Sequence, residues 1–396
     1  MSITDAQKDI VRSTAPILKE NGKEITSIFY KKMFGAHPEL LDIFNLTNQK
    51  VGTQPLALAN TIYFAAENID HLEALLPQVM LIAHKHRALM VLPEHYPIVG
   101  ENLLAAIKEF LGDKATTEIL DAWAAAYGII AQIFIDAEKK LYDELGPDEK
   151  DTGFIAFRIV KKEQVACGPI VALTLERTDG GKMHPYHPGQ YITLRVKVGE
   201  RIHLRHYSLL EPFNGKTYRV AIKDEVNEPK GIVSNEIIDN YKEGDQIFAT
   251  FPAGTFTLAP NGKHNLFIAG GIGITVLSSL IQQLKQQGQI ETATLIHSVL
   301  TKEHAAFADE LKSILNQPNQ YQLITDGRLI DKNIIEKVLT ADTQVYICGS
   351  PSFMNAVEDI LAQCNHPQSQ IHIEAFQPSL SVIKGVNDQS TTKSIQ

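Results

Sequence analysis

Cysteine is scarce in this 396-residue chain. Cys167, Cys348 and Cys364 are odd in number and far apart, which excludes a disulfide framework and a cysteine metal site and suggests a reducing compartment. Positive charge is also short. Thirty-seven Lys and Arg against 46 Asp and Glu leave a net charge of −9, which argues against nucleic acid or an anionic membrane as a general partner. The opening MSITDAQKDIVR has no apolar signal core. The most apolar run, Ala122 to Ile135, is interrupted by Gln132 and falls short of the roughly 20 residues of a membrane span. No internal repeat is visible. These absences lead to the expectation of a cytoplasmic protein, monomeric, without stable membrane insertion and without a nucleic-acid partner. What is present is 44% hydrophobic residues, enough for a core in each of two or three domains.

Hydrophobic periodicity divides the chain into three. Residues 1–145 read as all helix. Ser2 or Thr4 caps the first helix, Asn21-Gly22 is a stop, and a second helix runs from about Lys23 to Gly35. Pro38, Pro55 and Pro77 mark helix starts, and Thr116 or Thr117 with Glu118 caps a long last helix through about Tyr142. The charged Pro/Gly stretch DELGPDEKD, 143–151, is a linker. Residues 152–260 hold short β-rich runs between turn residues, which predicts an antiparallel β-barrel or sandwich. Over 261–396 strands and helices alternate, as in a parallel sheet with crossover helices. The polar tail from about Ser379 is expected to be loose.

Candidate site residues lie in all three parts. In VMLIAHKHRALMVLPEHY, Val79, Ile82, His86 and Leu89 fall on one helical stripe, with a break expected at Pro93. A histidine on such a stripe is, alone, more often a core residue than a ligand. Here Lys85 precedes it and Tyr96 follows shortly after. Glu138 continues the stripe of Tyr127, Ala131 and Phe134, and a carboxylate buried there needs a partner, which Tyr96 or His86 can provide. Tyr30 and Phe44 are aromatics that fit a core equally well, and Gln54 and Leu58 share a helix face. In the middle part Arg205, His206, Tyr207 and Ser208 follow HPGQYITL, which contains Tyr191. Arginine offers a fork to phosphate, tyrosine a flat surface to a ring, and serine a donor to a ring nitrogen. Gly231, Val233, Ser234 and Asn235, in GIVSN, offer backbone amides at a helix start to a pyrophosphate. In the last part Ala269-Gly270-Gly271-Ile272-Gly273 joins an apolar strand to a helix, the context of a nucleotide phosphate loop. Cys348-Gly349-Ser350 ends a later strand at the edge where such sheets bind ligands.

Together these residues resemble the flavohaemoglobin, or nitric oxide dioxygenase, family over nearly the whole chain. The resemblance is carried by FYKKMF, HPELLDIFN, TNQKVGTQPLALAN, HKHRAL and EHYPIVGE in the first part, and by GQY, the RxYS and GxVSN runs and the glycine loop in the rest. It implies an all-α globin domain, an antiparallel β-barrel FAD domain and an α/β parallel-sheet NAD(P) domain of ferredoxin-reductase type. It also implies His86 as proximal ligand of haem b iron, Phe44 packing the haem, and Tyr30, Gln54 and Leu58 as distal pocket. Tyr96 and Glu138 become a proximal hydrogen-bond relay, and Lys85 is the lysine beside the ligand. Tyr191, residues 205–208 and the 231–235 run become the FAD site. Gly271, Ile272, Gly273, Ile274, Thr275 and Val276 become the NAD(P) loop, and Glu374, Ala375, Phe376, Gln377 and Pro378 the C-terminal strip over the flavin. Departures concentrate in the last part: Val276 stands where the family has proline, Ser350 replaces the proline of CGP, and AFQP replaces CFGP.

The implied reaction has NAD(P)H reduce FAD and FAD reduce haem iron, with NO and O₂ converted to nitrate. A hydride carries two electrons and iron accepts one at a time, so a flavin is needed between them. The alternatives are a haem-based sensor or carrier of O₂ or NO, and a general flavin reductase for peroxides, ferric iron or quinones. Lys302 alone does not decide NADH against NADPH.

Overall fold

A computed structural model describes residues 3–43, 53–145, 153–224, 231–260 and 262–376. Phe44, Gln377, Pro378 and the tail lie outside the described residues, as does the side chain of Gln54. The chain forms two compact units, one within 1–146 and one within 147–376.

The first unit is helical: α1 Asp5–Ala36, α2 Thr53–Glu67, α3 Leu76–Ala88, α4 His95–Leu111 and α5 Thr117–Asp143, with 3₁₀ turns at Pro38–Asp42, Leu72–Leu75 and Gly112–Lys114. A capping box opens α1. Gln7 N–H donates to Thr4 Oγ1 at 3.2 Å, and Thr4 N–H donates to Gln7 Oε1 at 3.0 Å. Thr116 caps α5 through Ile119 N–H. The expected stop at Asn21-Gly22 is absent, and α1 runs through both. The reason is packing: α2 crosses α1 here, and a Cβ on Gly22 would lie 2.7 Å from Ala59 Cβ. The glycine permits a close crossing rather than a turn, and Asn21 spends its amide on Ile17 O at 3.1 Å.

Helix α3 ends at Ala88, five residues before Pro93. Leu89 is its cap and Met90 takes a left-handed φ of +60°. Val91 N–H then donates to His86 O at 2.9 Å and Met90 N–H to Arg87 O at 3.1 Å, a Schellman-type end that needs no glycine or proline. By length and composition α5 passes for a membrane span. Its buried stripe of Trp123, Ala126, Ala131, Phe134, Ala137 and Glu138 packs against α1, α3 and α4 in the helical core.

The second unit carries two sheets. Strands β1 Ile155–Ala166, β2 Ile170–Arg177, β3 Tyr191–Val198, β4 Arg201–Ser208, β5 Thr217–Lys223 and β6 Gln246–Ala249 form an antiparallel sheet of order β4-β3-β6-β1-β2-β5. The chain leaving β4 bridges back to β5 at Leu209–Val220, which closes the sheet into a barrel. Helix α6, Ile232–Asn240, lies on β3 and β5.

Strands β7 His264–Gly270, β8 Ala293–Ser298, β9 Tyr321–Ile324, β10 Thr343–Cys348 and β11 Ile371–Glu374 form a parallel sheet of order β11-β10-β7-β8-β9, with α7 Ile274–Gln286, α8 Ala308–Ile314, α9 Lys332–Glu336 and α10 Pro351–Gln363 between them. The order reverses between β7 and β10, so a crevice opens at the carboxyl ends of these two strands.

Replacing Gly22 by valine forces two methyls into the α1–α2 crossing. We expect a loss of about 1–3 kcal/mol in the helical unit, read as a lower urea midpoint of its far-UV circular dichroism; an unchanged midpoint would show that the crossing has room to spare.

Candidate haem, flavin and dinucleotide sites

In the helical unit, three elements bring His86, Tyr96 and Glu138 together. His86 stands in the last turn of α3, Tyr96 in the first turn of α4, and Glu138 on the buried stripe of α5. Tyr96 O–H donates to Glu138 Oε1 at 2.5 Å, and His86 Nδ1 lies 2.7 Å from the same oxygen. The Tyr96 hydroxyl is also 3.2 Å from His86 Nδ1. Glu138 is 2% exposed and its Oε2 has no hydrogen-bond partner, so the buried carboxylate depends on these two donors. Burial, reinforced by the charge of Glu138, pushes the Tyr96 phenol far up, so Tyr96 stays a donor.

A carboxylate only accepts, so the ring presents Nδ1–H to it. With the proton on Nδ1, Nε2 is the ring nitrogen whose lone pair can serve a haem iron. The His86 side chain is 32% exposed rather than sealed in the core. Beside it opens an apolar cleft lined by Thr61, Ala65, Val79, Ile82, Ile130 and Phe134, the last with its ring 5.8 Å from that of His86. These residues fit a haem.

Two supports went unread in the sequence. Tyr127 donates its hydroxyl to Tyr96 O at 2.6 Å, and its ring fills the space over Gly100, where a Cβ would come within 2.5 Å. Tyr142 donates to Val91 O at 3.4 Å, its phenol pushed up to about 12 mainly by burial. Tyr142, one turn after Glu138, offered that spacing as a signal, and Tyr127 stood on the same stripe about three turns before it.

Tyr30, on α1, is buried between Phe29 and Phe34, at ring distances of 4.7 and 5.6 Å. Leu58 on α2 packs into the same cluster. Gln54 lies one turn earlier on α2. Lys85 is half-buried in the last turn of α3.

In the barrel, register places Tyr191 opposite Ser208, Thr193 opposite His206 and Ile192 opposite Tyr207. Opposed residues share a sheet face, so the run 205–208 divides: His206 and Ser208 go with Tyr191, while Arg205 and Tyr207 take the other face. His206 spends Nδ1 on Thr193 Oγ1 at 2.8 Å and lies 4.7 Å from the Tyr191 ring. Burial lowers the pKa of Arg205, a desolvated cation that an anion would satisfy.

Gly231 caps α6 without a side chain, leaving the amides of the first turn, at Val233 and Ser234, to an external acceptor. At its other end Lys162 Nζ donates to Ile238 O at 2.6 Å, Tyr241 O at 2.5 Å and Ile237 O at 3.2 Å. An ammonium at the carboxyl end and an anion at the amino end both suit the helix dipole. Lys162, on β1, was not read as part of a site. Its lone position gave no signal.

At the parallel sheet's switch point the turn Gly271–Gly273 leads into α7. A Cβ on Gly273 would lie 2.2 Å from Cys348 O, and one on Gly349 3.2 Å from Gly270 Cα, so this turn and the one after β10 touch. Ile274, Thr275 and Val276 are buried in the first turn of α7, and Thr275 Oγ1 donates to Ile272 O. Ser350 caps α10, accepting from Phe353 N–H at 3.3 Å, with Pro351 at the first helical position; the substitution supplies a cap. Glu374 ends β11 beside Cys348, Ala375 packs against the core, and Phe376 is 46% exposed.

Residues 27–134 match the Globin family, and 267–359 match the Oxidoreductase NAD-binding domain family. The chain is 42% identical to a flavohemoprotein of Halalkalibacterium halodurans over 96% of this chain and 98% of that one. It is 40% identical to flavohemoprotein A of Dictyostelium discoideum, over 96% and 100%. The crystal structure of a flavohemoglobin from Malassezia yamatoensis with bound FAD and heme superposes with a TM-score of 0.84 at 27% identity, over 95% of this chain and all of that one. With a globin unit, an antiparallel barrel and an NAD-binding lobe in this order, and identity of this level along its whole length, the chain belongs to the flavohaemoglobin family.

Proposed function

We propose that the protein is an NAD(P)H-dependent nitric oxide dioxygenase, converting NO and O₂ to nitrate in the cytoplasm. The observation that carries this reading is the buried Glu138–Tyr96–His86 relay in a chain that also holds a flavin and dinucleotide reductase. When bound, the dinucleotide supplies a hydride, FAD parts it into single electrons, and haem iron takes these and engages O₂.

The unit within 147–376 divides near residue 260 into a flavin barrel and a dinucleotide lobe. His86 would hold the iron through Nε2. Glu138, by accepting a hydrogen bond from Nδ1–H, would give the ring imidazolate character and strengthen its donation. Tyr96 shares that carboxylate and fixes the ring plane, and Lys85 stands beside the ligand. By the resemblance Tyr30, Leu58, Gln54 and Phe44 would serve as the distal pocket, with the Tyr30 hydroxyl as donor to bound gas; the Gln54 side chain and Phe44 lie outside the described residues. Tyr191, His206 and Ser208, which share a face of the sheet, would hold the flavin ring, while Arg205 and Tyr207 on the opposite face and the amides of Gly231 to Asn235 would hold the rest of the cofactor and its pyrophosphate. Residues 271–276 hold the dinucleotide, and residues 374–378 shield the flavin.

Joining NO and O₂ into nitrate takes one electron, so one hydride supports two turnovers. The test is NO consumption by the loaded protein in air with NADH or NADPH. We expect nitrate equal to the NO consumed and about two NO per dinucleotide oxidised; faster turnover with peroxide, ferric iron or quinone than with NO would reject the reading. For His86→Ala we expect loss of the Soret band with flavin absorbance retained, and a normal Soret band would remove His86 as ligand. For Tyr30→Phe we expect weaker O₂ binding by the reduced protein and slower NO removal. Unchanged O₂ release measured by stopped flow would take Tyr30 out of the mechanism.

A further inference from the structure

The carboxyl end of β8 holds a histidine that the reading above leaves without a task. His297 is 0% exposed and lies opposite Ala269 in the β7–β8 register, one residue before the strand becomes the glycine turn. Its Nε2 is 3.2 Å from the carbonyl oxygen of Gly271. A carbonyl only accepts, so Nε2 carries the proton and Nδ1 is the bare nitrogen. Nδ1 is buried with no partner. Desolvation draws the pKa down to about 4, which keeps the ring neutral in this tautomer.

Gly271 O is thereby held from two sides, since Ile274 N–H also donates to it. Gly271 itself has a left-handed φ of +54°, where a side chain would be strained. A trans peptide is planar, with its C=O and the following N–H pointing in opposite directions. Turning the Gly271 carbonyl inward onto a buried ring therefore turns the Ile272 N–H outward, away from the sheet. Ile272 is partly exposed and stands at the start of a turn whose first amides lack partners within it.

We infer that His297 is a positioning residue for the dinucleotide: its Nε2–H sets the Gly271–Ile272 peptide so that the Ile272 amide faces the phosphate. Buried in apolar surroundings and roofed by the turn, it acts through the backbone alone. The inference rests on residues 271–276 being the dinucleotide turn, and its test separates the two ideas.

The variants are His297→Gln, whose terminal amide reaches the place of Nε2; His297→Asn, whose amide stops short; His297→Leu; and Ile272→Pro, which deletes the amide. Steady-state ferricyanide reduction by the full-length, cofactor-loaded protein gives KM for NADH and kcat, with flavin and Soret spectra as controls. We expect the Asn and Leu variants to raise KM for NADH about tenfold, with kcat and both spectra unchanged. His297→Gln should stay within about twofold of the parent, and Ile272→Pro should raise KM at least as much as Leu. Should the Leu variant fail to accumulate, the Asn and Gln pair carries the comparison. If Ile272→Pro raises KM and neither Asn nor Leu does, the His297 role is overturned while the turn keeps its assignment. If Gln behaves like Asn, the hydrogen bond is not the cause and the inference falls. If Ile272→Pro leaves KM unchanged, the assignment of the turn falls and the inference with it.

Discussion

A single carboxylate oxygen organises the helical unit. Glu138 Oε1 accepts from Tyr96 and from His86, while its other oxygen has no partner in an almost water-free environment. An ionised carboxylate so placed costs several kcal/mol unless it is paired. That cost makes the arrangement selective: either donor swinging away would strand the charge. The demand reaches further. Tyr127 holds the Tyr96 backbone, Gly100 yields its side-chain space to the Tyr127 ring, and the Met90 turn ties the carbonyl of His86 to Val91. Helix ends, a missing side chain and a strained residue all converge on one imidazole orientation.

The reductase unit relies on the opposite device. Gly231 caps α6 and Gly273 caps α7 without a side-chain cap bond, so no side chain of the cap competes for the first amides of either helix. Each turn is held from behind, α6 by the Lys162 ammonium at its far end and the Gly271 turn by a buried imidazole. Lys162 and His297 stand behind the backbone, and the peptide dipoles of both turns point away from them.

Much of this was legible in the sequence. Glu138 and His86 sat on apolar stripes where a polar residue demands an explanation, the capping residues Thr4 and Thr116 marked helix starts, and turn-rich β runs followed by alternating strands and helices separated barrel from parallel sheet. Where the reading failed, a residue with two meanings was given the commoner one. Asn21-Gly22 has the composition of a stop, yet only α2, more than thirty residues later, reveals that the glycine serves a crossing. Pro93 promised the end of α3, but a Schellman turn at Met90 ended it first. Facing was not legible in the run 205–208: strand pairing puts His206 and Ser208 on one face and Arg205 and Tyr207 on the other. Lys162 acts on a helix some 75 residues away, a distance no local pattern spans.

The crossing at Gly22 has a meaning beyond packing. Ala59, which it touches, neighbours Leu58 on α2, and Gln54 lies one turn back on that helix. With Leu58 and Gln54 lining the gas pocket, as proposed, the absent methyl would set how close that wall comes to α1. Selection could retune how tightly this globin grips a diatomic molecule by editing a position that never meets the gas, and a survey of affinity variants confined to the pocket would overlook it.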